Sequence, residues 1–125
     1  MPISYSIDTE NNVILESWTG MITAADLAAH CRRYLADPAV MAIRRTIVDL
    51  REARILFCGE QLAEAVESIV LPTLQGIRWT TAIVVTDPMH FEISRQYRIL
   101  AESYSRDAIF GTREAAMEWM RGEHP

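Results

Sequence analysis

Ile3, Tyr5 and Ile7 alternate with Ser4 and Ser6, the two-residue period of a strand with one buried face. A polar link, Asp8 to Asn12, separates this run from a second extended stretch, Val13 to Trp18. Asparagine tolerates left-handed backbone angles, so Asn11-Asn12 predicts an antiparallel hairpin. Gly20 is expected to close the second strand. The period then changes: Leu27, Ala28, Cys31, Tyr34 and Leu35 recur at helical intervals. They follow Thr23-Ala24-Ala25-Asp26, which has the spacing of a capping box with aspartate in place of the usual glutamate. Asp37-Pro38 marks the end of this helix, because a residue before proline is pushed out of the helical region.

Thr46 to Leu50 reads as a short buried strand, followed by a link from Arg51 to Cys58. From Gly59 a second helix carries Leu62, Val66, Ile69 and Val70 on one side until Pro72 breaks it. Trp79 to Thr86 is a β-branched apolar run ending at Asp87-Pro88, where a carboxylate caps a helix whose first position is proline. In that third helix Met89, Ile93, Tyr97, Leu100 and Tyr104 form a stripe expected to face the sheet. Phe91, Arg95, Arg98 and Glu102 fall on another side, with Arg98 and Glu102 spaced to pair. Ala108-Ile109-Phe110 and Gly111-Thr112 repeat the strand-to-cap pattern before a last helix, Arg113 to Arg121. Its core face is Ala115, Ala116, Trp119 and Met120. The expectation is one α/β domain over residues 1–125, with about five strands and four helices. Strands separated by helices should be parallel, and the first hairpin makes the sheet mixed.

Composition narrows the function more by exclusion than by assignment. At 125 residues with half of them apolar, the chain can bury one core and lacks the signature of disorder. The formal charge is −5, and all twelve basic residues are arginine. Without lysine there is no Schiff-base chemistry and no Walker-type phosphate loop, although codon bias is the simpler cause of the pattern. With an acidic balance and no basic stripe, duplex DNA and anionic membranes are not expected partners. No basic segment followed by an apolar stretch opens the chain and no long apolar run follows, so the expected location is the cytoplasm. Cys31 and Cys58 are then expected as free thiols.

No set of nucleophile, base and metal ligands stands out, and neither a cofactor nor a metal is expected. Cys58, just before a helix, could be an activated thiol or a small buried apolar residue; burial is the expected role. His30 and Cys31 are neighbours on a helix, pointing about 100° apart, and cannot chelate one metal together. His90 could act as a base near Asp87, but a capping or solvent-facing role is the simpler one. His124 falls in a terminal stretch expected to fray. Asp87 lies at the carboxyl end of a strand, where open α/β sheets bind ligands, and Phe91 and Arg95 follow one and two turns on. Glu16 and Trp18 face opposite to Leu15 and could line a binding surface or cover an edge.

Four stretches, Gly20 to Leu27, Val48-Asp49-Leu50-Arg51, Phe91 with Arg95 and Tyr97, and Ile109-Phe110 with Ala116 and Trp119, carry a family likeness. Through them the chain resembles the SpoIIAA-like family, whose members share an α/β fold with the anti-sigma-factor antagonist (STAS) domains and the CRAL-TRIO lipid-binding domains. In the antagonist domains a serine at the start of the helix after the third strand is the phosphorylation switch. Counting from Val48-Asp49-Leu50 places Phe57-Cys58-Gly59-Glu60 there, without a hydroxyl. The resemblance therefore implies a non-enzymatic regulatory or binding module lacking the phospho-switch. It would dock a partner protein or a small apolar or anionic ligand at Cys58, Gly59, Asp87, Phe91 and Arg95. The alternatives are a small enzyme using Cys58 or His90 with Arg95 as anion-binding group, and a structural homodimer joined through Met117, Trp18 or Trp79.

Overall fold

The structure is a computed structural model and describes residues 2–122; His124 lies outside them. A five-stranded sheet has its strands side by side in sequence order. β1 (Ile3–Asp8) and β2 (Val13–Ile22) form the expected antiparallel hairpin, with Ile3 opposite Trp18 and Asp8 opposite Val13. Asn12 takes the positive φ, 52°, that the turn requires. β3 (Arg45–Ile55), β4 (Trp79–Val84) and β5 (Ser105–Phe110) run parallel to one another, and β3 runs parallel to β2.

Two strands outrun their expected ends for one shared reason. β3 continues past Asp49, which pairs with Val84 of β4, and its residues Glu52 to Ile55 pair instead with Thr19 to Ile22 of β2. Ala53 and Ile55 are half-buried while Glu52 and Arg54 are exposed, so the two-residue period persists where a link was expected. Gly20 does not close β2. It sits inside the strand at φ +73°, after an irregularity between Ser17 and Thr19, and lets the chain bend without losing its ladder.

α1 (Ala24–Leu35) begins with the expected capping box, Thr23 Oγ1 accepting from Asp26 N at 3.1 Å and Asp26 Oδ2 accepting from Thr23 N at 2.9 Å. An unexpected helix follows, α2 (Pro38–Ile43), whose N-cap Asp37 accepts from Ala39 N at 3.0 Å. The Asp-Pro pair that ends one helix thus starts another, since proline at the first position forfeits only an N–H that is orphaned anyway. α3 (Gly59–Ala65) widens into a π segment, Val66–Val70, and finishes as α4 (Leu71–Thr73). Pro72 does not break the helix where expected, because the π turn ends just ahead of it and the chain runs on to Thr73. α5 (Pro88–Ala101) is capped by Asp87, which accepts from Met89 N at 2.7 Å.

The inward face of α5 differs from the expected stripe. His90, Ser94 and Ala101 are buried, Ile93, Tyr97 and Leu100 flank them half-buried, and Met89 is 74% exposed. The helix presents a line rotated by one residue at its start, which leaves Met89 beyond the sheet and draws His90 in. On the solvent side the ion pair is Arg95 with Glu92, 2.9 Å.

α1, α3 and α5 cover one face of the sheet, over a core that includes Ile3, Ile14, Ile22, Leu50, Leu62, Val66 and Ile83. α6 (Arg113–Gly122) covers the other, with Ala116 and Met120 fully buried against Val13, Ile47, Ala82 and Val84. Alternation along each strand sorts residues between the two layers, so Glu16, Trp18, Thr46, Val48, Trp79 and Thr81 all look toward α1, α3 and α5. Trp18 and Trp79 are 8% and 6% exposed; these indoles belong to the interior and offer no surface to a second copy. Asp87→Ala is expected to cost about 1 kcal/mol through loss of the α5 cap, read as a lower urea midpoint; an unchanged midpoint would show that the cap is dispensable.

Candidate functional site

Between the sheet and the helices of the first layer lies a cavity of about 140 Å³. Its walls are mostly apolar and strongly aromatic: Trp18, Tyr34, Phe57, Trp79, Tyr97 and Tyr104 surround it together with aliphatic side chains from all three helices. Val66 and Val70 bring the π segment to the wall, and such segments recur at functional sites.

The wall carries one buried carboxyl–imidazole pair. Glu16 on β2 and His30 on α1 are each 5% exposed, with Glu16 Oε1 3.1 Å from His30 Nε2. Trp18, two residues along the same strand face, donates from Nε1 to Glu16 Oε2 at 2.6 Å. Nδ1 of His30 is buried without a partner. Other polar groups of the wall are hydrogen-bonded, Thr81 to Ser105 and Ser94 to the His90 carbonyl outside it. Trp79 Nε1 donates to Thr46 Oγ1 at 3.1 Å, Tyr34 shares a hydrogen bond with the same hydroxyl, and Tyr97 and Tyr104 join their hydroxyls at 2.9 Å. Burial pushes the Cys31 thiol, also on the wall, up to about 12, with the Glu16 charge adding to the effect. Cys31 therefore stays a neutral thiol.

Comparison with protein-family models finds no match, and neither does comparison with curated proteins. Solved structures do match. An uncharacterized DUF3478-family protein with a SpoIIAA-like fold from Shewanella loihica PV-4 aligns over 94% of this chain and 91% of its own, with TM-score 0.62 and 15% identity. The anti-sigma factor antagonist SpoIIAA in its unphosphorylated form aligns over 97% and 99%, with TM-score 0.57 and 13% identity. An anti-sigma factor antagonist from Mycobacterium paratuberculosis aligns over 95% and 94%, with TM-score 0.52 and 16% identity. The chain has a SpoIIAA-like fold.

In this SpoIIAA-like fold Glu16 and Trp18 line the cavity, whereas the expected docking residues Cys58, Gly59, Asp87, Phe91 and Arg95 sit outside it, beyond the carboxyl ends of parallel β3 and β4. Cys58 is the N-cap of α3 and its backbone N–H donates to Gln61 Oε1 at 2.9 Å. It is exposed and free, not buried as expected, because Phe57 takes the inward position beside it at 7% exposure. Gly59 lies against α5: a Cβ there would come within 2.2 Å of Gln96 Oε1. Asp87 is occupied in capping, Phe91 is 45% exposed, and Arg95 faces solvent with Glu92. His90 is 6% exposed and its Nδ1 has no partner, so neither the solvent-facing nor the capping role holds. Cys58, His90 and Arg95 share no hydrogen bond or ion pair among the described residues, and none of them lines the cavity. Nor do the described residues hold a group of three or more His, Cys, Asp or Glu able to bind a metal, and no described helix is long and apolar enough to cross a membrane.

The corner and the cavity are nevertheless adjacent along the chain. Ile55 and Phe57 precede Cys58 and line the cavity, as do Ile93 and Ser94 just after Phe91. Sequence reasoning found Glu16 and Trp18, because strand alternation sets them on one face. It weighed His30 only as a metal ligand and missed its pairing with Glu16, fourteen positions away on another element; a helix-face reading of α1, in which Leu27, His30 and Tyr34 point the same way, carried the available signal.

Asp107 on β5 supplies a separate electrostatic feature. Burial pushes its carboxyl up to about 6 from 3.8, against hydrogen bonds from Ser105 and Thr81 and the charge of Arg98. Ser105 Oγ donates to Asp107 Oδ1 at 2.6 Å. Because the unfolded chain loses this proton first, the stability tied to protonated Asp107 is full below pH 3.8 and is lost as pH rises through about 6. Asp107→Asn should therefore raise the urea midpoint relative to the parent at about pH 7 and leave it nearly unchanged at about pH 3; an equal gain at both would refute this. Removing one member of a buried pair strands the other, so Glu16→Ala is expected to cost about 3 kcal/mol. The double variant with His30→Ala should cost less than the sum of the two single losses, a coupling visible in a double-mutant cycle by denaturation; additive losses would show that the two side chains act independently.

Proposed function

We propose that this chain is a non-enzymatic binding module that holds a small, largely apolar molecule in the cavity between the sheet and α1, α3 and α5. The carrying observation is the aromatic chamber of about 140 Å³ with one buried carboxyl–imidazole pair on its wall. A cavity of about 150 Å³ lined by apolar side chains takes benzene, so this one suits a single ring. A void kept without an occupant costs packing energy, and rigid aromatic walls do not collapse to remove it.

On this reading the rim corner is the output surface. Cys58, Gly59, Asp87, Phe91 and Arg95, with exposed Leu56 and Met89 beside them, would dock a partner protein. Occupancy biases the arrangement of the 56–59 segment by population shift. The SpoIIAA-like fold supports a regulatory role, since two of the similar structures are anti-sigma factor antagonists. Phe57-Cys58-Gly59-Glu60 offers no hydroxyl at the helix start, so control by an occupant would take the place of control by covalent phosphate.

Benzene, titrated into the isotope-labelled protein, should shift resonances of Tyr34, Leu62, Val66 and Trp79, and Ala65→Leu, which fills the chamber from α3, should abolish those shifts while the protein stays folded. Shifts confined to surface residues, or unaffected by Ala65→Leu, would overturn the reading.

A further inference from the structure

The protonation of the Glu16–His30 pair constrains what the chamber accepts. Trp18 Nε1 is a donor only, so Glu16 Oε2 acts as acceptor in that 2.6 Å bond. Glu16 Oε1 meets His30 Nε2, and His30 is the one cationic partner that this buried carboxylate has among the described residues. A carboxylate buried without a counter-charge is costly, and a proton shared across the pair, leaving it neutral as a whole, removes that cost. The shared proton has two places to sit. If it is on Nε2, the ring is an imidazolium and both nitrogens carry hydrogen. If it is on Glu16, Nε2 is the acceptor and the ring's own hydrogen is on Nδ1. In both arrangements Nδ1 is an N–H donor, and it is the atom of the pair that has no partner.

We infer that the chamber takes a neutral, ring-sized molecule bearing one hydrogen-bond acceptor, such as a cyclic ketone, and that the Nδ1–H of His30 is the group that meets it. The inference rests on the reading that the chamber binds a ligand, and adds to it the chemistry of that ligand. An unmet buried donor is expensive, and an acceptor oxygen on the occupant removes that cost. An anionic head would restore the net buried charge that the pair avoids, so a carboxylate or phosphate is disfavoured. The other polar groups of the wall already have hydrogen-bond partners, among them Thr46 with Tyr34 and Trp79, and Tyr97 with Tyr104, so His30 Nδ1 is the wall's buried nitrogen that most needs an acceptor. The lining is otherwise mostly apolar, so the remainder of the occupant is largely hydrocarbon.

Cyclohexanone and methylenecyclohexane differ only in the oxygen and serve as the probes. In the full-length protein the ratio of their affinities should favour the ketone by about tenfold more than in His30→Phe, the worth of one buried hydrogen bond. Nitrogen NMR of the parent protein gives a readout that needs no variant: Nδ1 of His30 should carry a proton in the free protein and shift with cyclohexanone but not with methylenecyclohexane. Equal binding of the two probes with no Nδ1 shift, an unprotonated Nδ1, or benzoate displacing cyclohexanone would each overturn the inference and leave the chamber as a ligand site. Failure of benzene and both probes to reach the chamber would overturn the underlying reading as well.

Discussion

A carboxylate on β2 and an imidazole on α1, 3.1 Å apart and almost fully buried, tie the first helix to the sheet at the wall of the cavity. Neither group could be there alone. In the low-dielectric interior an unpaired charge costs several kcal/mol, so the register of α1 over β2 is fixed wherever the two must meet. The aromatic residues around them inherit that register. Tyr34 stacks 4.9 Å from the His30 ring, Tyr5 meets Tyr34 edge-on at 5.0 Å, and Trp79 follows at 6.1 Å from Tyr34. Each tyrosine and tryptophan in this group brings a polar tip that must find a partner, and Asp37, Thr46 and Glu16 provide them.

The two faces of the sheet solve the packing problem differently. Beneath α6, small Ala82, Ala116, Val13 and Val84 let helix and strands approach, with Ile47 and Met120 buried beside them. Above the other face, large rings held at fixed orientations by their hydrogen bonds stand the helices off. Flexible aliphatic chains would settle into the resulting void. Rings with two side-chain torsions and a bonded tip do not, and the wider turn of Val66–Val70 fits the wall around the space rather than through it. The cavity is thus a consequence of the polar tips as much as of the apolar bodies.

What was legible in the chain was local. Thr23 with Asp26, and Asp87 with Pro88, announce helix starts through backbone donors that a nearby oxygen satisfies, and the structure uses both. The same signal at Asp37-Pro38 was readable only as a stop, since six residues give too few turns for an apolar period. Strand lengths failed where the partner decides them: residues 51–55 are polar enough to be a loop and become strand because β2 runs beside them. The rotation of α5, which buries His90 and exposes Met89, depends on where the sheet ends, a tertiary fact absent from helical spacing. The site shows the same limit. Strand alternation put Glu16 and Trp18 on one face, yet the group that gives Glu16 its meaning comes from another element.

The cavity wall and the rim corner are made by the same short segments, and this bears on how one could report on the other. Phe57 stands in the wall and Cys58, the next residue, caps α3 at the surface. On the other side Ile93 stands in the wall, while Phe91 and Asp87 occupy the outer start of the same helix. The two sides touch where Gln96 lies on Gly59, so closely that a single methyl group at Gly59 would force the amide to move. Phe57 and Ile93 in the wall are thus two and three residues from the positions that make that contact. Packed interiors transmit strain, so the route by which the proposed occupant would bias the 56–59 segment is short: one residue from Phe57 to the α3 cap and two from Ile93 to Phe91.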